Sequence, residues 1–197
     1  AMINNNGFIG DWIKENSRVL DLGCGDGSLL ETLTNKHQVR GYGLEIDPAS
    51  ISQCIDRGVN VIEQDLNEGL ENFADASFDT VVMMQTLQAL RYPHLVLDEM
   101  LRIGKQCIVT FPNFGHWRTR ADLVFSGRMP VTKRLSYQWY DTPNIHFFTY
   151  KDFEALCVER NINIVNRNFV GGRASDLGLD SIWPNLFAHT AVYRLSK

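Results

Sequence analysis

The sequence predicts an α/β protein built on a parallel sheet with right-handed crossovers. Short apolar runs alternate with helical patterns from Val19 to Phe111, the arrangement that places helices over parallel strands. A glycine-rich turn, Gly23, Gly25 and Gly27, follows the first apolar run directly. No internal repeat, low-complexity tract or linker interrupts the 197 residues. One domain over residues 1–197 is therefore expected, long enough to bury a core.

The elements follow in order. Residues 8–15 read as a short amphipathic helix, and "RVLDL" (18–22) reads as a buried strand. "SLLETL" (28–33) is the helix after it, and "VRGYGLEI" (39–46) a second strand. Pro48 suits the first turn of a helix that runs to Arg57. "VNVIEQ" (59–64) is a third strand, and "FDTVVMM" (78–84) a fourth, apolar enough to be buried on both faces. Pro93 to Arg102 reads as helix and "QCIVTF" (106–111) as a fifth strand.

The alternation then stops. Residues 112–147 show no clear period, and carry Pro112, Pro130 and Pro143 among many aromatic residues. So long an irregular stretch inside a compact domain is usually functional. The pattern resumes with a helix at 150–160, a strand at 162–170, a polar loop at 171–180 and a closing strand at 188–195.

Composition narrows the function classes. The net charge of −4 provides no global field for nucleic acid or acidic membranes. No apolar run approaches a membrane span. Cys24, Cys54, Cys107 and Cys157 show no metal-ligand spacing with one another or with histidine. They read as reduced, mostly buried thiols of a cytoplasmic protein.

The glycine turn points to a ligand. A strand that ends in glycines and turns into a helix presents N–H groups outward. The spacing is G-x-G-x-G, with Asp21 two residues before Gly23, rather than the dinucleotide pattern G-x-G-x-x-G. Glu45 ends the second strand 22 residues after Gly23, where an acid hydrogen-bonds a ribose diol. No Lys or Arg lies between Glu45 and Arg57, which disfavours a 2′-phosphate. Asp65, just past the third strand, suits an adenine amino group. With Asp26 and Asp47, these acids make the crevice hostile to a pyrophosphate and favourable to a sulfonium cation. That favours S-adenosylmethionine over a nicotinamide dinucleotide.

"VLDLGCGDG", "GLEID", "QDL" and "FDTVVMMQTLQAL" together resemble the class I S-adenosylmethionine-dependent methyltransferases. The resemblance implies a Rossmann-like, seven-stranded, mostly parallel sheet of order 3-2-1-4-5-7-6, strand seven antiparallel, with helices on both faces. It implies Gly23, Gly25 and Gly27 against the methionine part and Glu45 on the ribose. Ile46 and Leu66 would lie near the adenine, Asp65 on its amino group, and Gln85 beside the methyl donor. "FPNFGHWRTR" (111–120), "GRMPVTKRLSYQWYDTPNIHF" (127–147) and "WPNLFA" (183–188) resemble the MetW family of methionine-biosynthesis proteins. That resemblance covers residues 16–195 and implies work beside a homoserine O-acyltransferase, MetX.

Two functions follow. The chain binds S-adenosylmethionine, or the product S-adenosylhomocysteine, and acts with or regulates the acyltransferase. Alternatively it methylates a small-molecule acceptor, with residues 112–147 as a lid. His116, Tyr137, Tyr140, Asp141 and His146 are candidate bases, but no spacing singles one out, and no N-P-P-Y element follows the fourth strand. The same stretch holds Arg118, Arg120, Arg128, Lys133 and Arg134 against Asp122 and Asp141. Arginines interleaved with aromatics suit a protein interface. They also stack on RNA bases, but the acidic chain and the lack of an RNA-binding motif disfavour that partner.

Overall fold

The computed structural model describes residues 6–132, 137–171 and 182–197. Its centre is a seven-stranded sheet of β1 (Arg18–Leu22), β2 (Arg40–Glu45), β3 (Asn60–Glu63), β4 (Phe78–Met84), β5 (Gly104–Pro112), β6 (Asn163–Gly171) and β7 (Ala188–Ser196). The order is β3-β2-β1-β4-β5-β7-β6. The first five strands pair in parallel; β7 runs antiparallel to both β5 and β6. This is the single-domain, Rossmann-like class I methyltransferase topology that the sequence resemblance implies.

Helices α1 (Asn6–Trp12), α2 (Ser28–His37), α3 (Pro48–Asp56), α4 (Pro93–Ile103), α5 (Trp117–Ser126) and α6 (Tyr150–Glu159) connect or flank the strands. Strand side chains alternate between faces, and the core divides accordingly. Leu20, Val81, Met83, Val109, Phe111 and Tyr193 pack with Leu97 and Met100 of α4 and Phe153 of α6. Val19, Val82, Ile108 and Val192 pack on the other face with Ile9 of α1, Leu30 and Leu33 of α2 and Cys54 of α3. The central strands are buried on both faces, which is why they read as unbroken apolar runs.

Local chemistry sets the helix ends. The Asp47 carboxylate accepts from the Ser50 amide at 2.9 Å and Pro48 occupies the first turn, so α3 begins where the sequence predicts. Thr149 and Asp152 form a reciprocal capping box on α6. Helix α2 runs past the predicted Leu33 to His37 and stops at Gln38, which is left-handed (φ 53°). The apolar stripe ends at Leu33, so the polar last turn carries no periodic signal.

The expectation of an irregular stretch over 112–147 needs correction: α5 lies inside it. His116 caps the helix, its Nδ1 accepting from the Arg118 amide at 3.2 Å, and left-handed Gly127 ends it. Of its residues only Thr119 is buried. A helix without a buried face leaves no 3.6-residue period to find. The polar loop predicted at 171–180 lies outside the described residues, except Gly171, which ends β6; Lys133 and Arg134 also lie outside them. Among the described residues no helix is long and apolar enough to cross a membrane, and no group of three His, Cys, Asp or Glu side chains is placed to hold a metal.

Candidate nucleoside site

The glycine turn joins β1 to α2 at the carboxyl end of the sheet, where ligands of open α/β sheets bind. All three glycines are left-handed, with φ of 73°, 55° and 76°, but their surroundings differ. A Cβ on Gly23 would fall 2.7 Å from Thr86 Oγ1, and one on Gly27 would fall 2.9 Å from Cys54 Sγ. A Cβ on Gly25 would meet nothing within 4 Å. Gly23 and Gly27 are thus held by packing, and Gly25 faces open space. Gly27, the N-cap of α2, has no side chain to cap the helix, and the Ser28 amide turns back to Asp26 Oδ1 at 3.1 Å.

Glu45 ties this turn to β2. Its Oε2 accepts from the Gly25 amide at 2.8 Å, and its Oε1 accepts from the amides of Ile46 and Asp47 at 2.8 and 3.0 Å. A carboxylate has about four acceptor positions, so the carboxylate is fixed in direction while retaining capacity for a further donor. Ile46, beside it, is exposed. Across β3, Asp65 Oδ1 accepts from the Asn67 amide at 2.8 Å and caps a single turn, Leu66–Glu68, in which Leu66 is buried.

Asp21 is the anomaly. It is buried near the end of β1, and its Oδ1 has no hydrogen-bond partner. Burial, reinforced by the charge of Glu45, pushes its carboxyl up to about 7. An unpartnered oxygen in a low-dielectric site is costly.

The five acids predicted to line the crevice divide into two groups. Asp26 forms an ion pair with Arg57 at 2.9 Å, and Arg57 also reaches Glu31 at 2.9 Å. The Ser28 hydrogen bond and Arg57 hold Asp26 below the usual carboxylate range. Asp47 is occupied as the cap of α3. Asp65 is likewise a cap, through Oδ1, while Asp21 and Glu45 take part in no ion pair and cap no helix among the described residues. Arg57, the first cation after Glu45, is committed to the two acids and does not point a free charge at the crevice.

Gln85 follows β4 in a left-handed conformation (φ 56°), exposed. Its amide donates to the Thr110 carbonyl at 2.9 Å, and its carbonyl accepts from Gln88 Nε2 at 2.6 Å. The Gln88 carbonyl in turn accepts the amides of Ile145 and His146, each at 3.0 Å. The turn after β4 thereby fastens the end of the 112–147 stretch to this side of the sheet.

Sequence reasoning missed Thr86, Gly43 and the meeting of Cys24 with Cys54. Thr86 packs on Gly23. A Cβ on Gly43 would collide with Cys24 Sγ, so the second strand carries a glycine where the turn presses on it. Cys24 and Cys54 Sγ atoms lie 3.8 Å apart, and Cys54 Sγ also donates to the Gly25 carbonyl at 3.1 Å. Burial raises both thiols, so they stay protonated. Only "GYG" at 41–43 hinted at this packing.

The candidate bases sit in different settings. His116 is buried as the cap of α5 with its ring stacked on His189, centroids 3.9 Å apart, His146 Nε2 lies 3.4 Å from the Arg91 carbonyl oxygen, and Tyr137, Tyr140 and Asp141 are exposed. A cavity of about 620 Å³ opens beyond β5, walled by Pro112, Asn113, Phe114, His116, Trp117, Arg118 and His189, among others.

Comparison with known proteins places this architecture. A bifunctional methionine biosynthesis protein MetXA/MetW of Rhodopirellula baltica is 36% identical over 192 residues, which cover 91% of this chain and 30% of that protein. A ubiquinone biosynthesis O-methyltransferase of Erwinia tasmaniensis is 27% identical over 106 residues, 48% of this chain and 43% of that one. The chain thus spans less than half the length of the curated relatives it matches. A SAM-dependent methyltransferase structure from Archaeoglobus fulgidus superposes with a TM-score of 0.71 at 16% identity, covering 98% of this chain and 95% of that one, and so shares the fold. The family described as "Methionine biosynthesis protein MetW" matches residues 4–195. With nearly its whole length matched, the chain belongs to the MetW family.

Proposed function

We propose that this protein binds S-adenosylmethionine or S-adenosylhomocysteine at the glycine turn and acts with, or regulates, a homoserine O-acyltransferase, MetX. The observation that carries the ligand half is the unpartnered Asp21 oxygen near the end of the strand that leads into the turn with the open Gly25. The methionine end of either nucleoside brings an ammonium group that suits such a carboxylate. Glu45 retains acceptor capacity for a ribose diol. Asp65 has one oxygen outside its cap for an adenine amino group, and Leu66 and Ile46 supply apolar contact. Gln85 would border the sulfur. S-adenosylmethionine itself supplies an electrophilic methyl on a sulfonium; the residues here bind, orient and neutralise it.

The partner half is supported by the Rhodopirellula relative, whose name joins MetXA and MetW in one polypeptide. Regulation requires the nucleoside to favour one partner-binding form over another. Calorimetric titration of both nucleosides, followed by acyltransferase assays with and without this protein, tests the proposal. Micromolar binding and a nucleoside-dependent change in acylation are expected. No binding of either nucleoside, together with unchanged acylation, would overturn it.

The cavity beyond β5 favours a second reading, methyl transfer to a small-molecule acceptor, because its size suits a metabolite. Formation of S-adenosylhomocysteine on a metabolite panel would establish it.

A further inference from the structure

We infer that a homoserine O-acyltransferase subunit docks on the face formed by α5 and residues 128–132 and 137–147; this rests on the partnership proposed above. A ten-residue helix is marginal in water unless it packs a face against something. Within α5 only Thr119 is buried. Its last turn instead presents Val124, 75% exposed, and Phe125, 88% exposed. The chain continues through Met129 into a cluster with Tyr137 and Trp139, which share the walls of a small cavity. Trp139 and Tyr140 are 73% and 71% exposed, their rings edge to face at 5.7 Å. Exposed apolar and aromatic side chains gathered on neighbouring segments in this way mark an interaction site, and Trp and Tyr dominate interface energetics.

Charge identifies the kind of partner. Arg118, Arg120 and Arg128 are exposed around this face against Asp122 and Asp141, a net positive balance, although the chain as a whole is acidic, at −4. A partner with an apolar centre and an acidic rim complements it. A second copy fits less well, because a two-fold contact sets the same net-positive patch against itself. The relative whose name joins MetXA and MetW in one polypeptide makes the acyltransferase the occupant we assign. Gln88, which holds the Ile145 and His146 amides and bonds Gln85, anchors the face to the strand end that borders the nucleoside site.

Association of the purified full chain with purified homoserine O-acyltransferase, measured by biolayer interferometry with and without S-adenosylhomocysteine, is the test. Phe125→Ser and Trp139→Ser are each expected to weaken association at least tenfold, and added salt to weaken it in the wild type. Ile55→Ser, at an exposed site on α3, is expected to leave it unchanged. Should F125S melt early, R128E removes no packing and carries the same test. If the wild type associates and none of F125S, W139S and R128E weakens it, the docking face is wrong and the partnership stands. If the wild type does not associate under either condition, both fall. If sedimentation shows a dimer of this chain that F125S dissolves, the face is homotypic and the inference is overturned.

Discussion

The Glu45 carboxylate accepts a hydrogen bond from the Gly25 amide at 2.8 Å, joining the end of β2 to the turn after β1. One side chain therefore shapes the glycine turn and presents an acceptor to the crevice. Glu45→Ala removes the acceptor for three amides and the proposed ribose contact. A loss of about 1–3 kcal/mol in nucleoside affinity is expected, with a lower melting temperature. Calorimetry and thermal denaturation measure the two effects. Unaltered affinity would mean that the ribose lies elsewhere.

The three glycines separate binding from folding. Gly23→Ala forces a Cβ against Thr86 in a left-handed conformation, and a destabilisation of about 1–3 kcal/mol is expected. Gly25→Ala adds only backbone strain of about 1 kcal/mol, but fills the open side of the turn. It should melt near the wild type and bind the nucleoside poorly. Thermal melts and titration of both variants check the contrast.

Asp21 makes stability depend on pH. Burial and the charge of Glu45 push its folded carboxyl up to about 7, against 3.8 for an ordinary aspartate. A carboxyl raised on folding binds its proton more tightly in the native state, so its ionisation destabilises the ligand-free protein as pH rises. Asp21→Asn lacks that penalty. Relative to wild type, its stability advantage should grow from about pH 4 to about pH 7 and then level off. Melting curves of both proteins across that range reveal it. A bound nucleoside ammonium should shrink the difference.

Arg102 staples the connection between β3 and β4 to α4. Its guanidinium donates to the Phe73 and Leu70 carbonyls at 2.8 and 3.0 Å and pairs with Asp75 and Glu99 at 2.6 and 2.8 Å. A single ammonium cannot serve this fork. Arg102→Lys is expected to cost about 1–3 kcal/mol in urea denaturation, with hydrogen exchange rising first over residues 70–75.

Most strands were legible because each is a local pattern. "VLDLGCGDG" shows a buried strand and a turn that needs glycine, and "FDTVVMM" a strand covered on both faces. Glu45 and Asp65 were legible as candidates because acids at strand ends follow directly from that pattern. Helix α5 was not, since a helix with one buried residue leaves no period. The separate roles of Asp26 and Asp47 were also hidden. Asp26 depends on Arg57, 31 residues away, and no spacing rule links the two.

The sequence by itself determined the α/β class, the glycine turn and the acids around it. Those follow from hydrophobic periodicity, glycine conformation and charge, all properties of short stretches. Tertiary structure alone decided which acid is left without a partner, and which glycine faces open space while its neighbours are held by Thr86 and Cys54. It also decided that a helix within 112–147 leaves its apolar end in solvent. Each of these depends on groups brought together from distant parts of the chain, where burial and hydrogen bonding, rather than residue type, set what a side chain does.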